Sequence, residues 1–223
     1  MPSAEILLIP SNITRLLGGL GVTIEIALIS IALSIPLGIA VGMLMTLKNP
    51  VVKVVMRVYL DFIRIMPQLV LLYIVFFGSA AVAGLNFDAL VSSVIVFTLW
   101  GGAELGDLVR GALQSIPSSQ YDNAYVLGMG KLQTFVHVIL PQAVRRLVPP
   151  SVNLATRMIK TTSLCMLISV VEVIRVGQQI IDFYRFQYPM GSLWVYGAIF
   201  LMYFIVCFPL SLASRKLEKR FNK

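Results

Sequence analysis

Residues 26–47 read IALISIALSIPLGIAVGMLMTL, 22 residues without a charged side chain. As a helix this stretch is about 33 Å long, enough for a bilayer hydrocarbon core of about 30 Å. Lys48, Lys53 and Arg57 follow at once, with Asn49-Pro50 as the turn. Cations gathered at one end of an apolar run mark the cytoplasmic side. That end is read as inside and the N-terminus as outside. The whole chain agrees, with 58% apolar and 13% charged residues where a soluble domain carries about 25% charged. The chain is read as one all-α transmembrane domain over residues 1–223, with five helices.

Outward from that run, the spans are expected at about residues 16–47, 54–83, 89–114, 141–170 and 190–214, with 115–140 as the longest polar insertion. Gly38 and Gly42 share one face of the first span, a small-xxx-small pattern that lets helices approach closely. The second span opens in the amphipathic stretch Val51 to Ile65, and Pro67 should kink it. Arg64, low in this span, is read as a packing residue that snorkels to the inner interface, with a gating role as the alternative. Arg110, Arg145 and Arg146 mark further inner ends, and a connection carrying Glu172, Arg175, Asp182 and Arg185 is placed outside. The basic tail, Arg215, Lys216, Lys219, Arg220 and Lys223, then lies inside.

The net charge of +8 therefore belongs to a membrane surface and not to nucleic acid, because the basic residues sit at the ends of apolar stretches. Met1 to Asn12 contain no charged leader before a small-residue cleavage site, so no cleaved signal peptide is expected. Cys165 and Cys207 lie in apolar segments and are read as free buried thiols. His137 is the only histidine, so no histidine-based metal site or catalytic triad can be assembled. Gly128-Met129-Gly130-Lys131 lacks the spacing of a phosphate loop and follows no strand. No catalytic residue, metal or bound cofactor is expected in this chain.

Two polar groups interrupt this apolar background. Arg157 and Lys160 share a helix face in the fourth span. Each would cost about 2.5–3.5 kcal/mol at the centre of a bilayer, so that face must meet protein or water. Glu104, three residues before Asp107 in the inner half of the third span, is the expected counter-charge, and Thr161, Thr162 and Ser163 add hydroxyls. Two readings stand: these charges pair to fix helix packing, or Glu104, Arg157, Lys160, Thr162 and Ser163 line a route for a charged or zwitterionic solute. The second group is the segment PSSQYDNAYVLG at 117–128, read as a short helix with Ser119 as N-cap, Asp122 completing a capping-box-like start and Gly128 ending it left-handed. Lys131 to Leu140 should form a second short helix stopped by Pro141. The exposed set Tyr121, Tyr125, Leu127 and Met129 suits either a protein partner or the membrane surface.

Asp122-Asn123-Ala124, Gly128 four residues on, and Val138-Ile139-Leu140-Pro141 resemble the EAA motif of ABC importer permeases, whose pattern is Glu-Ala-Ala, three residues, Gly, nine residues, Ile-x-Leu-Pro. The spacing matches throughout. Asp122 replaces Glu and shortens its reach, Asn123 replaces the first Ala and Val138 replaces Ile. Phe62-Ile63-Arg64-Ile65-Met66-Pro67 with Leu69-Val70, Arg110-Gly111 with Gln114-Ser115-Ile116, Leu140-Pro141-Gln142-Ala143 with Pro149-Pro150 and Asn153, Lys160-Thr161-Thr162-Ser163-Leu164, and Ile168 to Glu172 with Gly177-Gln178 resemble the polar amino acid permeases of the histidine/glutamine/glutamate type. Thr161 stands where that family has Asp, and Glu104 and Arg157 where it usually has uncharged residues. The resemblance covers residues 13–215.

It implies a permease subunit in a bacterial or archaeal plasma membrane, carrying a polar or charged amino acid. A separate ATPase dimer would bind the ATP and dock on Tyr121, Asp122, Ala124, Tyr125, Gly128 and Lys131. A second permease chain, identical or paralogous, and an extracellular or periplasmic binding protein would complete the transporter. An ABC importer for another small solute, a secondary transporter and a structural membrane subunit are the rival readings.

Overall fold

The computed structural model describes residues 2–221; Met1, Asn222 and Lys223, the last residue of the expected basic tail, lie outside the described residues. Every regular element among the described residues is helical. In chain order they are α1 (Pro10–Thr46), α2 (Pro50–Ile65), α3 (Gln68–Ala83), α4 (Ala89–Gln114), α5 (Ser118–Val126), α6 (Lys131–Thr134), α7 (Leu140–Thr161), α8 (Val173–Tyr184) and α9 (Gly191–Phe221). Short 3₁₀ turns cover Pro2–Leu7 and Thr162–Ile168, and a π-helical turn covers Phe135–Ile139. Among the described residues α1, α4 and α9 are each long and apolar enough to cross a membrane, and bent pairs raise the number of spans to as many as five.

The stretch expected as one kinked span over 54–83 is two helices, α2 and α3, with a turn of 101° between them. The cause is Pro67. Its ring disfavours helical backbone at the residue before it, and Met66 is extended, with φ −66° and ψ 134°. A second expectation fails in the opposite direction. Pro141 does not stop a helix, because α6, the π turn and α7 run on through it. The Leu140 N–H reaches back five residues to the Phe135 carbonyl. That extra residue in the turn relaxes the backbone where the proline ring would otherwise press on the preceding coil. The expected outer connection at 172–185 is mostly helix α8.

The described residues pack as two compact units, each drawn from three stretches of chain. One unit takes the described part of Met1–Ile31, Pro67–Phe97 and Thr156–Pro209. Its apolar centre is Ile6, Leu16, Val173, Val176, Ile180, Val195 and Ile199. Glu172, far from being a solvated loop residue, is fully buried. Its two carboxylate oxygens accept the backbone N–H groups of Ile174 and Arg175 at 2.9 and 2.8 Å, so it caps the positive end of α8. Cys165 and Cys207 are free and buried. Phe200, Phe204 and Phe208 stack along α9 and remain about half exposed or more.

The other unit takes Ala32–Met66, Thr98–Ala155 and the described part of Leu210–Lys223. Here the Gly38–Gly42 face of α1 meets a second small pair, Gly102 and Gly106, on α4. A Cβ placed on Gly42 would lie 2.6 Å from Val109 and 2.8 Å from the Gly106 carbonyl, and one on Gly106 would lie 2.6 Å from Val41. The two backbones touch because none of these positions carries a side chain. Ala112, Ile116, Ile139 and Ala143 join the end of α4 to the start of α7, and the Ser214 hydroxyl donates to the Pro149 carbonyl at 2.9 Å.

Candidate functional site

Helix α5 begins two residues earlier than the capping pattern suggested. Pro117 takes the N-cap position with φ −59° and ψ 143° and supplies no side-chain cap. Ser119 is thus inside the helix, and Asp122 lies beyond the first turn and faces outward. The other end is as the spacing predicts. Gly128 has φ +76°, its N–H donates to the Tyr125 carbonyl at 2.9 Å, and the Met129 N–H donates to the Ala124 carbonyl at 3.0 Å. This pair of bonds is the Schellman motif, and it satisfies carbonyls that the helix end would leave open. Lys131 then opens α6, exposed, and the Gly130 N–H is held by the Gln133 side chain at 3.0 Å.

Ala124 is the inward anchor of α5, at 2% exposure, whereas Tyr125, Val126 and Leu127 are 82%, 82% and 78% exposed. The Gln120 side chain accepts from the Gln142 amide at 3.1 Å and ties α5 to the start of α7. A nine-residue helix is too short to be stable alone. Its fixed ends and single buried alanine present an apolar ridge on a supported base.

Each unit carries charged residues of its own. In one unit, Glu104, Asp107 and Arg110 follow at three-residue intervals on one side of α4. Arg64, in the last turn of α2, bonds both acids, with Nε 2.9 Å from Glu104 Oε1 and Nη1 3.1 Å from Asp107 Oδ2. Arg110 Nη2 holds the other oxygen of Asp107 at 2.6 Å and its Nη1 donates to Gln114 at 2.8 Å. The Glu104 side chain is only 14% exposed, so this cation neutralises a carboxylate that the protein largely removes from solvent.

In the other unit, Arg157 and Lys160 end α7 with exposed side chains, and Thr162 and Ser163 enter the 3₁₀ turn. Thr162 is buried and donates to the Ile159 carbonyl at 2.7 Å, while Ser163 donates to the Lys160 carbonyl at 2.9 Å. Those hydroxyls spend their protons on their own helix and keep only lone pairs for anything else. Lys160 and Ser163 line a pocket of about 400 Å³ with Ile174, Phe200, Tyr203 and Cys207 among its walls.

Residues 34–223 match the family described as the binding-protein-dependent transport system inner membrane component. The chain belongs to this family. Members are membrane-embedded components that work with a solute-binding protein and an ATP-binding subunit. The chain is similar to the probable glutamine ABC transporter permease protein of Bacillus subtilis, at 34% identity over 91% of each chain. It is also similar to the L-cystine transport system permease protein of the same organism, at 33% identity over 92% of this chain and 86% of that one. Its fold is that of a chain in the crystal structure of an amino acid ABC transporter with histidines, with a TM-score of 0.86, 22% identity and coverage of 96% and 98%. This permease component is thus an all-helical, multi-pass membrane protein.

Sequence reasoning missed one charge pairing in the permease. It left Arg64 to packing, whereas Arg64 is ion-paired with Glu104. The signal was available in the depth of each residue. Arg64 lies low in the second span, and Glu104 and Asp107 lie in the inner half of the third.

Proposed function

We propose that this permease component carries a polar or charged amino acid through the membrane of an ABC importer, with ATP hydrolysed by a separate dimeric subunit docked on α5. The observation that carries this reading is the ridge of Tyr121, Tyr125, Val126 and Leu127, exposed on a helix whose Ala124 is buried and whose end is closed by Gly128. A solvated loop has no use for such a ridge, and a protein groove does. Asp122 and Lys131 flank it with opposite charges. The relatives' names support an amino acid as solute, as do the blocks around Arg64 and Lys160.

In this reading the N-terminus is outside and the C-terminus inside, residues 1–223 act as one permease domain, and α5 faces the cytoplasm. A second permease chain, identical or paralogous, completes the path, and a binding protein delivers the solute. Closure of the ATPase on its nucleotide moves α5, and α5 carries the motion to α7 through Gln120 and Gln142. Glu104, with Arg64 beside it, and Arg157, Lys160, Thr162 and Ser163 supply the polar groups along the solute route. The test is uptake of labelled glutamine, glutamate and histidine into vesicles holding the full transporter. Uptake that needs both ATP and the binding protein supports the reading. Robust flux through the permease chain alone would make it a secondary transporter and defeat it.

A further inference from the structure

Helix α2 has three faces. Leu60 and Ile63 are buried and the Tyr59 hydroxyl donates to the Leu99 carbonyl at 2.8 Å, so the first face lies against protein. Val51, Val54, Val55, Val58, Phe62 and Ile65 make the second, each between 50% and 77% exposed. Lys53, Arg57, Asp61 and Arg64 make the third, a stripe with helical spacing that runs between the other two.

The charged stripe borders a cavity of about 500 Å³, whose remaining charged walls are Asp107 and Arg110. Four cations thus face two carboxylates, and one of the four, Arg64, is also paired with a third acid, Glu104. Asp107 is already held by Arg64 and Arg110. Among the described residues Lys53 and Arg57 make no ion pair, and both are exposed. Lys53 and Arg57 are therefore the unpaired cations of the cavity, with Asp61 its one acid not already held, directly beside an exposed apolar arc on the same helix.

We propose that this cavity binds the phosphate of an anionic phospholipid in the cytoplasmic leaflet, with Lys53 and Arg57 on the phosphate and the acyl chains along the Val51–Phe62 side of α2. The shared chemistry is a phosphate anion on a guanidinium and an ammonium. The apolar arc decides between sources. A free phosphate would use the cations and leave the arc bare, whereas a lipid uses both faces at once. A zwitterionic head would bring its own cation into a site already in excess of positive charge. The inference rests on the membrane reading above and on the inward placement of Lys48, Lys53 and Arg57.

The test is native mass spectrometry of the intact detergent-purified transporter with phosphatidylglycerol or phosphatidylcholine added, a readout independent of transport. The wild-type complex should retain phosphatidylglycerol in preference to phosphatidylcholine. Lys53→Gln with Arg57→Gln should weaken retention about fivefold for each cation removed, about 25-fold together. The charge-keeping pair Lys53→Arg with Arg57→Lys should retain it, and so should Arg215→Gln with Lys216→Gln in the tail. Equal retention of the two lipids, undiminished retention by the Gln pair, or a loss as large in the tail variant would overturn the proposal. Displacement of the lipid by excess inorganic phosphate would assign the cavity to a free anion and overturn the lipid source. Amino acid uptake could fail in a transporter that still binds lipid this way, so the two readings fail separately.

Discussion

Substitution of Gly128 separates backbone conformation from side-chain contact at the proposed docking helix. Gly128 sits at φ +76°, and a Cβ built there meets nothing within 4 Å. Any penalty inside the chain is therefore conformational and not steric. An L-residue other than Gly, Asn or Asp costs about 1–2 kcal/mol in the left-handed region, which shifts the equilibrium against the capped end by about 5–30-fold. The bonds at stake are those from Gly128 to Tyr125 and from Met129 to Ala124, at 2.9 and 3.0 Å. The expected order of damage is Val above Ala above Asn, with Asn within about twofold of wild type because it tolerates this backbone. The assay is solute taken up per ATP hydrolysed in vesicles holding the complete transporter, with membrane yield as the check on insertion. Gly128→Ala should lower that ratio while hydrolysis continues, and Gly128→Asn should preserve it. If Asn, the larger side chain, proves worse than Ala, the position is a steric contact and the cap argument is wrong.

Three further outcomes are expected. Gly42→Ala should destabilise the protein relative to Gly18→Ala by about 1–3 kcal/mol. Both gain the same helix propensity, but only the Gly42 methyl meets neighbours at 2.6–2.8 Å while the Gly18 methyl meets none within 4 Å. Equilibrium unfolding in mixed micelles reads the difference, and equal stability would remove the helix seam. A double-mutant cycle on Arg64→Gln and Glu104→Gln should give a coupling of about 1–2 kcal/mol, between the exposed and buried limits for ion pairs, because the two side chains are 42% and 14% exposed. A coupling near zero would reduce the 2.9 Å pair to coincidence. Glu104→Gln alone leaves Arg64 without one of its two acids, so uptake of cationic amino acids should fall about fivefold more than uptake of neutral ones. Equal effects on both classes would confine Glu104 to packing.

Much of this was legible along the chain because the signals are local. The long apolar run of α1 announces a membrane helix whatever surrounds it, since lipid leaves the backbone few ways to satisfy itself. Gly128 declares a left-handed helix end because few other residues take that conformation without cost. The Gly38–Gly42 pair signals close approach, but nothing in its spacing names Gly102 and Gly106 as what it approaches. The errors arose where neighbours outweigh a local rule. Pro67 and Pro141 carry the same local penalty, yet one accompanies a 101° turn and the other is carried through by a π turn. Glu172 looks like a loop acid, but packing buries it at the start of α8, where two backbone N–H groups take the place of water.

The residues alone therefore determined a membrane-spanning helical chain, a short capped helix between spans and the family to which the chain is similar. Each of these depends on composition or on spacing within a few turns. Only the tertiary structure decided that Arg64 is ion-paired with Glu104 and Asp107, and that Lys53 and Arg57 are left beside an apolar arc with charge to spare. Partners 40 or more residues apart in sequence are chosen by which helix faces meet, and that choice is made by packing and not by any one segment.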